Sequence, residues 1–177
     1  MKTFCASVAF LMLTGAASAQ VAVTRFGSSD AELCYQDALG GLSRDASNCD
    51  EALRDKNLNG RDRRATIVNR AIIFNRSGRA AEALEDLDEA LQEEPTLAEA
   101  LLNRGNSHYL LGRYDAALGD YEAALDNGLK KAEVAWYDIG LAYEAKKKLK
   151  EARAAYAKAL EINPDFASAR EKLVTLG

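Results

Sequence analysis

Three sets of small side chains recur along this chain at one spacing. Ala71, Ala83 and Ala90 stand 12 and then 7 residues apart; Gly105, Ala117 and Ala124 repeat both gaps, and so do Gly140, Ala152 and Ala159. The leading members are offset by 34 residues (71 to 105) and by 35 (105 to 140). Self-similarity at such a period marks a tandem array of one supersecondary unit, which cannot bury its apolar face alone and must stack on its neighbours. Other columns keep the register: Ile67, Leu101 and Trp136 precede each leading small residue, Phe74, His108 and Tyr143 follow it, and Leu87, Tyr121 and Tyr156 stand in the second half of each unit. Gly78 and Gly112 fall where a first helix must turn into a second, and glycine accepts the left-handed backbone that ends a helix. Pro95 and Pro164 close the first and third units, where proline blocks continuation. Asn127 and Gly128 break the middle one, which holds the extra residue of the longer offset. Small residues at the three shared places let helices approach closely while aromatics fill the gaps. Only two prolines in 177 residues, with 48% apolar and 28% charged side chains, fit a soluble all-helical chain.

The stretch AWYDIGLAYEAKKKLKEARAAYAKALEINP carries Trp136, Ile139, Gly140, Tyr143, Ala152, Tyr156, Ala159 and Pro164. It resembles the tetratricopeptide repeat family, whose helix-turn-helix unit of about 34 residues has a Trp, Leu-Gly, Tyr, Ala, aromatic, Ala, Pro pattern. The likeness runs from about Arg64 to Phe166, repeated in register. Arg70 and Arg104 stand where leucine is usual, His108 where tyrosine is usual, and Lys147 where the inter-helix glycine is usual, which should strain the third turn slightly. The resemblance implies an all-α solenoid of antiparallel helix pairs wound into a right-handed superhelix. Repeats are expected over residues 64–97, 98–132 and 133–166, between a degenerate helix pair over 28–63 and a capping helix over 167–177.

The resemblance also implies a binding protein, with first helices lining a concave side that takes an extended peptide or a partner helix. Its inward places are Val68, Asn69, Ile72, Asn75 and Arg76, then Leu102, Asn103, Asn106, Tyr109 and Leu110, then Tyr137, Asp138, Leu141 and Glu144. Asn69 and Asn103 are equivalent, and their amides suit either a grip on a peptide backbone or a helix-to-helix hydrogen bond. Some family members hold a C-terminal carboxylate with a basic clamp around such an asparagine. Here the clamp is not recoverable, because its basic places fall on Val68, Val134 and Asp138.

Residues 1–19 read as a cleaved secretory signal, with Lys2, an apolar run around Val8 to Leu13, and Ala17 and Ala19 flanking Ser18; residues 20–27 then form a flexible mature terminus. The apolar run falls short of the roughly 20 residues a membrane span needs. Export to the periplasm, or secretion as the alternative, follows. Loss of Cys5 with the signal leaves Cys34 and Cys49, an even number in an oxidising compartment, where pairing is favoured. Their flanks read as two short helices, the first opening on a capping box of Ser29 and Glu32, so a bridge would staple an antiparallel pair. Metal binding fails on ligand count, since His108 is the only histidine.

No catalytic constellation stands out. A lone histidine without a neighbouring nucleophile, no Gly-rich phosphate loop and no Gly-x-Ser-x-Gly leave a non-enzymatic reading, with no cofactor and His108 as a packing substitute for tyrosine. Ala81 to Asn127 holds 12 acidic against 2 basic residues, whereas Gly128 to Gly177 holds 7 against 10. The acidic middle reads as the solvated outer face of second helices, or as a field steering a basic partner. Lys146, Lys147, Lys148 and Lys150 read as a solubilising turn and not as a nucleic-acid patch. The partner is therefore expected to be a protein or peptide, without membrane insertion, and weak self-association through the ends is the alternative.

Overall fold

The computed structural model describes residues 29–176. The expected signal, Cys5, residues 20–27 and the capping side chain of Ser29 lie outside the described residues. Described are nine helices and no strand: α1 (Ser29–Leu39), α2 (Ser47–Arg54), α3 (Gly60–Arg76), α4 (Ala80–Glu93), α5 (Ala98–Leu110), α6 (Tyr114–Asp126), α7 (Ala132–Ala145), α8 (Leu149–Ile162) and α9 (Ala167–Thr175). Helices α3 to α8 form three hairpins, each second helix packs on the next first helix, and α3, α5 and α7 also touch one another. The array is therefore two layers, with α3, α5 and α7 as its inner row. Helices α1 and α2 pair on the α3 side, and α9 packs on α8. Helix α3 begins a turn before residue 64, because the Asn59 side chain accepts from the Asp62 amide at 3.0 Å and caps it there.

All the small residues of the repeating triplets are buried. The reason for glycine or alanine at the leading place is visible sixteen residues on. A Cβ on Gly105 would lie 2.5 Å from the Tyr121 ring, and one on Gly140 would lie 2.3 Å from the Tyr156 ring. The first hairpin carries Leu87 at that place and tolerates Ala71. Changing Gly140 to alanine should therefore cost about 1–3 kcal/mol by overpacking, and adding Tyr156→Leu should recover part of it. Urea denaturation of the single and double variants reads both.

The turns repeat as closely. Arg79, Arg113 and Lys148 donate their amides to the carbonyls of Phe74, His108 and Tyr143 at 2.8–2.9 Å, the bond that closes a helix whose next residue is left-handed. That residue is Gly78, Gly112 or Lys147, with φ of 77°, 73° and 60°. Lys147 thus holds a conformation that costs a residue with a Cβ roughly 1–2 kcal/mol. Lys147→Gly should stabilise the protein by about 0.5–1 kcal/mol, less than the full strain because glycine also loosens the unfolded chain. A rise in the urea midpoint at constant slope is the expected signature.

The arginines that replace leucine are explained by pairing. Arg70 grips Asp86 of its own hairpin through two bonds of 2.8 and 2.7 Å and reaches back to Asp50 of α2 at 2.8 Å. Arg104 repeats the arrangement with Asp120 at 2.9 and 2.7 Å and with Asp88 of the preceding hairpin at 2.9 Å. Its hydrogen bonds to Asp120 hold the Arg104 guanidinium more firmly protonated than in water. The third hairpin has Ile139 and Ala155 at the equivalent places, both buried, and needs no such pair.

The acidic stretch is solvated over most of its length, with Glu82, Glu85, Asp88, Glu89, Glu93, Asp115, Glu122 and Asp126 exposed, and ion pairs depart from that expectation only in part. Asp86 and Asp120 are buried, Arg63 pairs with Glu89, Arg64 pairs with Glu93 and Glu94, and Arg79 pairs with Glu82. Lys146 likewise is not free for solvation, because it pairs with Asp115 across the second and third hairpins.

Candidate functional site

The inner positions expected from the sequence fall on α3, α5 and α7, but the structure divides them by role. Val68, Ile72, Leu102, Tyr137 and Leu141 are core. The asparagine column, expected to stand open, is enclosed, with Asn69 2% and Asn103 0% exposed. Successive first helices lie close enough for side chains to bridge them. The Asn75 amide donates to the Asn103 carbonyl at 3.4 Å, and Ser107 Oγ lies 3.0 Å from Asn75 Oδ1. Asn103 Nδ2 donates to the Glu99 carbonyl of its own helix at 2.8 Å.

Two charged positions turn out to fasten the ends of the array. Arg76 donates to the Asp37 and Ala38 carbonyls at 2.9 and 3.0 Å, closing the carboxyl end of α1, where a cation is favoured. Glu144 accepts from the Tyr156 hydroxyl at 2.8 Å and from Lys172 Nζ at 3.0 and 3.1 Å, which ties α9 down. Leu110 is exposed and Tyr109 half-buried, so the carboxyl end of α5 remains open.

Asn106 and Asp138 are different in kind. Asn106 Oδ1 accepts from the Tyr121 hydroxyl at 2.9 Å, while its Nδ2 is buried without a partner. Asp138 is 0% exposed, and neither carboxylate oxygen has a partner. Burial alone pushes its carboxyl well above the usual range. Burial also raises the phenols of Tyr109, Tyr121 and Tyr137, and the nearby Asp138 charge adds to each. The result is a buried, unpartnered carboxyl on the inner row that burial favours in its protonated form. The sequence held one signal for it: Asp138 shares its column with Asn69 and Asn103, so an ionisable group has replaced an amide.

His108 lies with Nε2 3.8 Å from Asp120, and burial lowers its basicity, so the neutral ring fills the tyrosine place in the column. Among the described residues no group of three or more His, Cys, Asp or Glu side chains is placed to hold a metal ion, and no helix is long and apolar enough to cross a membrane. The Cys34 and Cys49 sulfurs sit 2.10 Å apart in the amino-terminal pair, with Cα atoms 4.7 Å apart.

A family model described as tetratricopeptide repeat matches residues 68–129 and again 102–167. Photosystem I assembly protein Ycf3 of Synechococcus sp. (strain CC9605) is 31% identical over 114 residues, covering 62% of this chain and 65% of that protein. The match thus spans less than two thirds of that relative's length. Among solved structures, a thermophilic TPR protein of Thermus thermophilus superposes with a TM-score of 0.68 at 23% identity, over 83% of this chain and 79% of that one. The first TPR of Spaghetti (RPAP3), solved bound to the HSP90 peptide SRMEEVD, gives a TM-score of 0.59 at 21% identity, over 64% and 89%. These likenesses concern the fold. The two overlapping model matches run over the helices whose small-residue columns, glycine turns and stacked hairpins were described above, and the chain belongs to the tetratricopeptide repeat family.

Proposed function

We propose that this protein is a non-enzymatic scaffold of the cell envelope that binds a peptide or partner helix along the inner face of α3, α5 and α7. The observation that carries the reading is the inner row itself. Three first helices stand side by side, with the open end of α5 at Tyr109 and Leu110 and buried, unpartnered polar atoms at Asn106 of α5 and Asp138 of α7. The first TPR of Spaghetti (RPAP3), bound to an HSP90 peptide, is a precedent for peptide binding by a domain of this fold. A photo-crosslinking residue at Tyr109 should yield a protein adduct in the native cell, whereas one at the exposed Glu85 should not. Equal yields from both positions would remove the inner face as the binding surface.

The second reading is a structural subunit that associates with its own copies. It draws on large apolar side chains left open toward the carboxyl end, Val174 at 77% and Ile162 at 49% exposed. A light-scattering mass that stays monomeric with rising concentration would remove it.

The same proposal places the mature chain in the periplasm, beginning at Gln20 after signal cleavage, with Cys34 and Cys49 joined as a structural disulfide. Amino-terminal sequencing of the exported protein and non-reducing peptide mapping check the two statements. Reduction should then cost about 3 kcal/mol, the chain-entropy value for a closed loop of this size.

A further inference from the structure

We propose that Asp138 anchors the bound partner by taking one of its cationic side chains, the ammonium of a lysine or the guanidinium of an arginine. The proposal rests on the inner-face reading and deepens it by naming the chemistry of the ligand. Both oxygens of Asp138 are buried and unpartnered, and among the described residues no arginine or lysine pairs with it. Left alone, the buried carboxyl holds its proton because an unpartnered charge there is costly; a cation that brings its own hydrogen-bond donors relieves that cost, and the proton passes to solvent as the cation binds.

The surroundings select the same chemistry. Tyr109 of α5 and Tyr137 of α7 belong to the same inner row as Asp138, and a ring face attracts a cation within about 6 Å. An enclosed acceptor is filled by a group that reaches inward. Lysine and arginine have the apolar stems to do so, since their methylenes lie along apolar walls while the head finds the charge.

A competing occupant is a water molecule bridging Asp138 and the free Nδ2 of Asn106, with no ligand involved. The test uses the full chain and a set of acetylated, amidated nonapeptides of Ala, Leu and Ser with Arg, Gln or Glu at the centre, followed by fluorescence polarisation. The arginine peptides should bind about tenfold tighter than their glutamine partners and the glutamate peptides more weakly still. In Asp138→Asn, which preserves shape and could still hold a water, the preference for arginine over glutamine should shrink to about twofold or less, without loss of thermal stability. Equal binding of arginine and glutamine peptides by the wild type would overturn the cation site while leaving the inner-face reading intact. A preference that survives in Asp138→Asn would place the cation elsewhere and overturn the assignment. Failure of every peptide to bind would overturn both.

Discussion

Replacing Arg104 with alanine should lower the stability of the protein by about 2–3 kcal/mol, because it leaves Asp120 largely buried and without its guanidinium. For a chain of this size that corresponds to a fall in Tm of roughly 5–10 °C. The informative comparison is the pair Arg104→Ile with Asp120→Ala, which copies what the third hairpin already has in Ile139 and Ala155. Removing both charges takes away the desolvation cost together with the attraction, so the double variant should return to within about 1 kcal/mol of the wild type. A double-mutant cycle by urea denaturation would measure the coupling directly. If the double variant is as unstable as Arg104→Ala, the ladder is not the self-contained exchange that the third hairpin suggests.

The second large effect is a dependence on pH. An aspartate in the unfolded chain titrates near pH 4, and burial raises Asp138 well above that in the fold. Between those two values the folded protein keeps a proton that the unfolded chain releases, so stability falls as pH rises through the window. One proton gives a slope approaching about 1.4 kcal/mol per pH unit. Asp138→Asn cannot titrate there. It should match the wild type near pH 4 and exceed it progressively toward neutral pH, with the difference between the two curves isolating this group from all others. Parallel curves would mean that the carboxyl is solvated and not enclosed.

The fold is legible in the sequence because its cause is local and repeated. One small residue every 34 or 35 positions, with glycine or a helix breaker at every repeat joint except that at Lys147, fixes where helices start, stop and touch. Even the strain at Lys147 follows from its place in the glycine column, and its φ of 60° agrees. The ion-pair ladder escapes such a reading for a physical reason. Against a leucine pattern Arg70 and Arg104 are departures, although Asp86 and Asp120 recur with them sixteen residues on.

Register names the inner positions, and it tells which way a side chain points but not how much room remains before the next helix. Asn75 therefore bridges to the next first helix and Asn103 bonds back to its own where an open groove was expected, and Arg76 and Glu144 fasten the ends. Asp138 is legible in the sequence as an acid in the asparagine column, at a place where a basic clamp residue is missing. Its isolation depends on which groups of α5 and α7 come near it, and no spacing along the chain reports that.

The contact between Gly105 or Gly140 and the tyrosine ring sixteen residues on also constrains how such a chain can evolve. A methyl group arriving first collides with a buried ring, whereas loss of the ring first leaves only a hollow that the methyl can later fill. Divergence from the glycine–tyrosine form to the alanine–leucine form seen in the first hairpin therefore has a passable order, ring before methyl. The return journey must run the same two steps backwards.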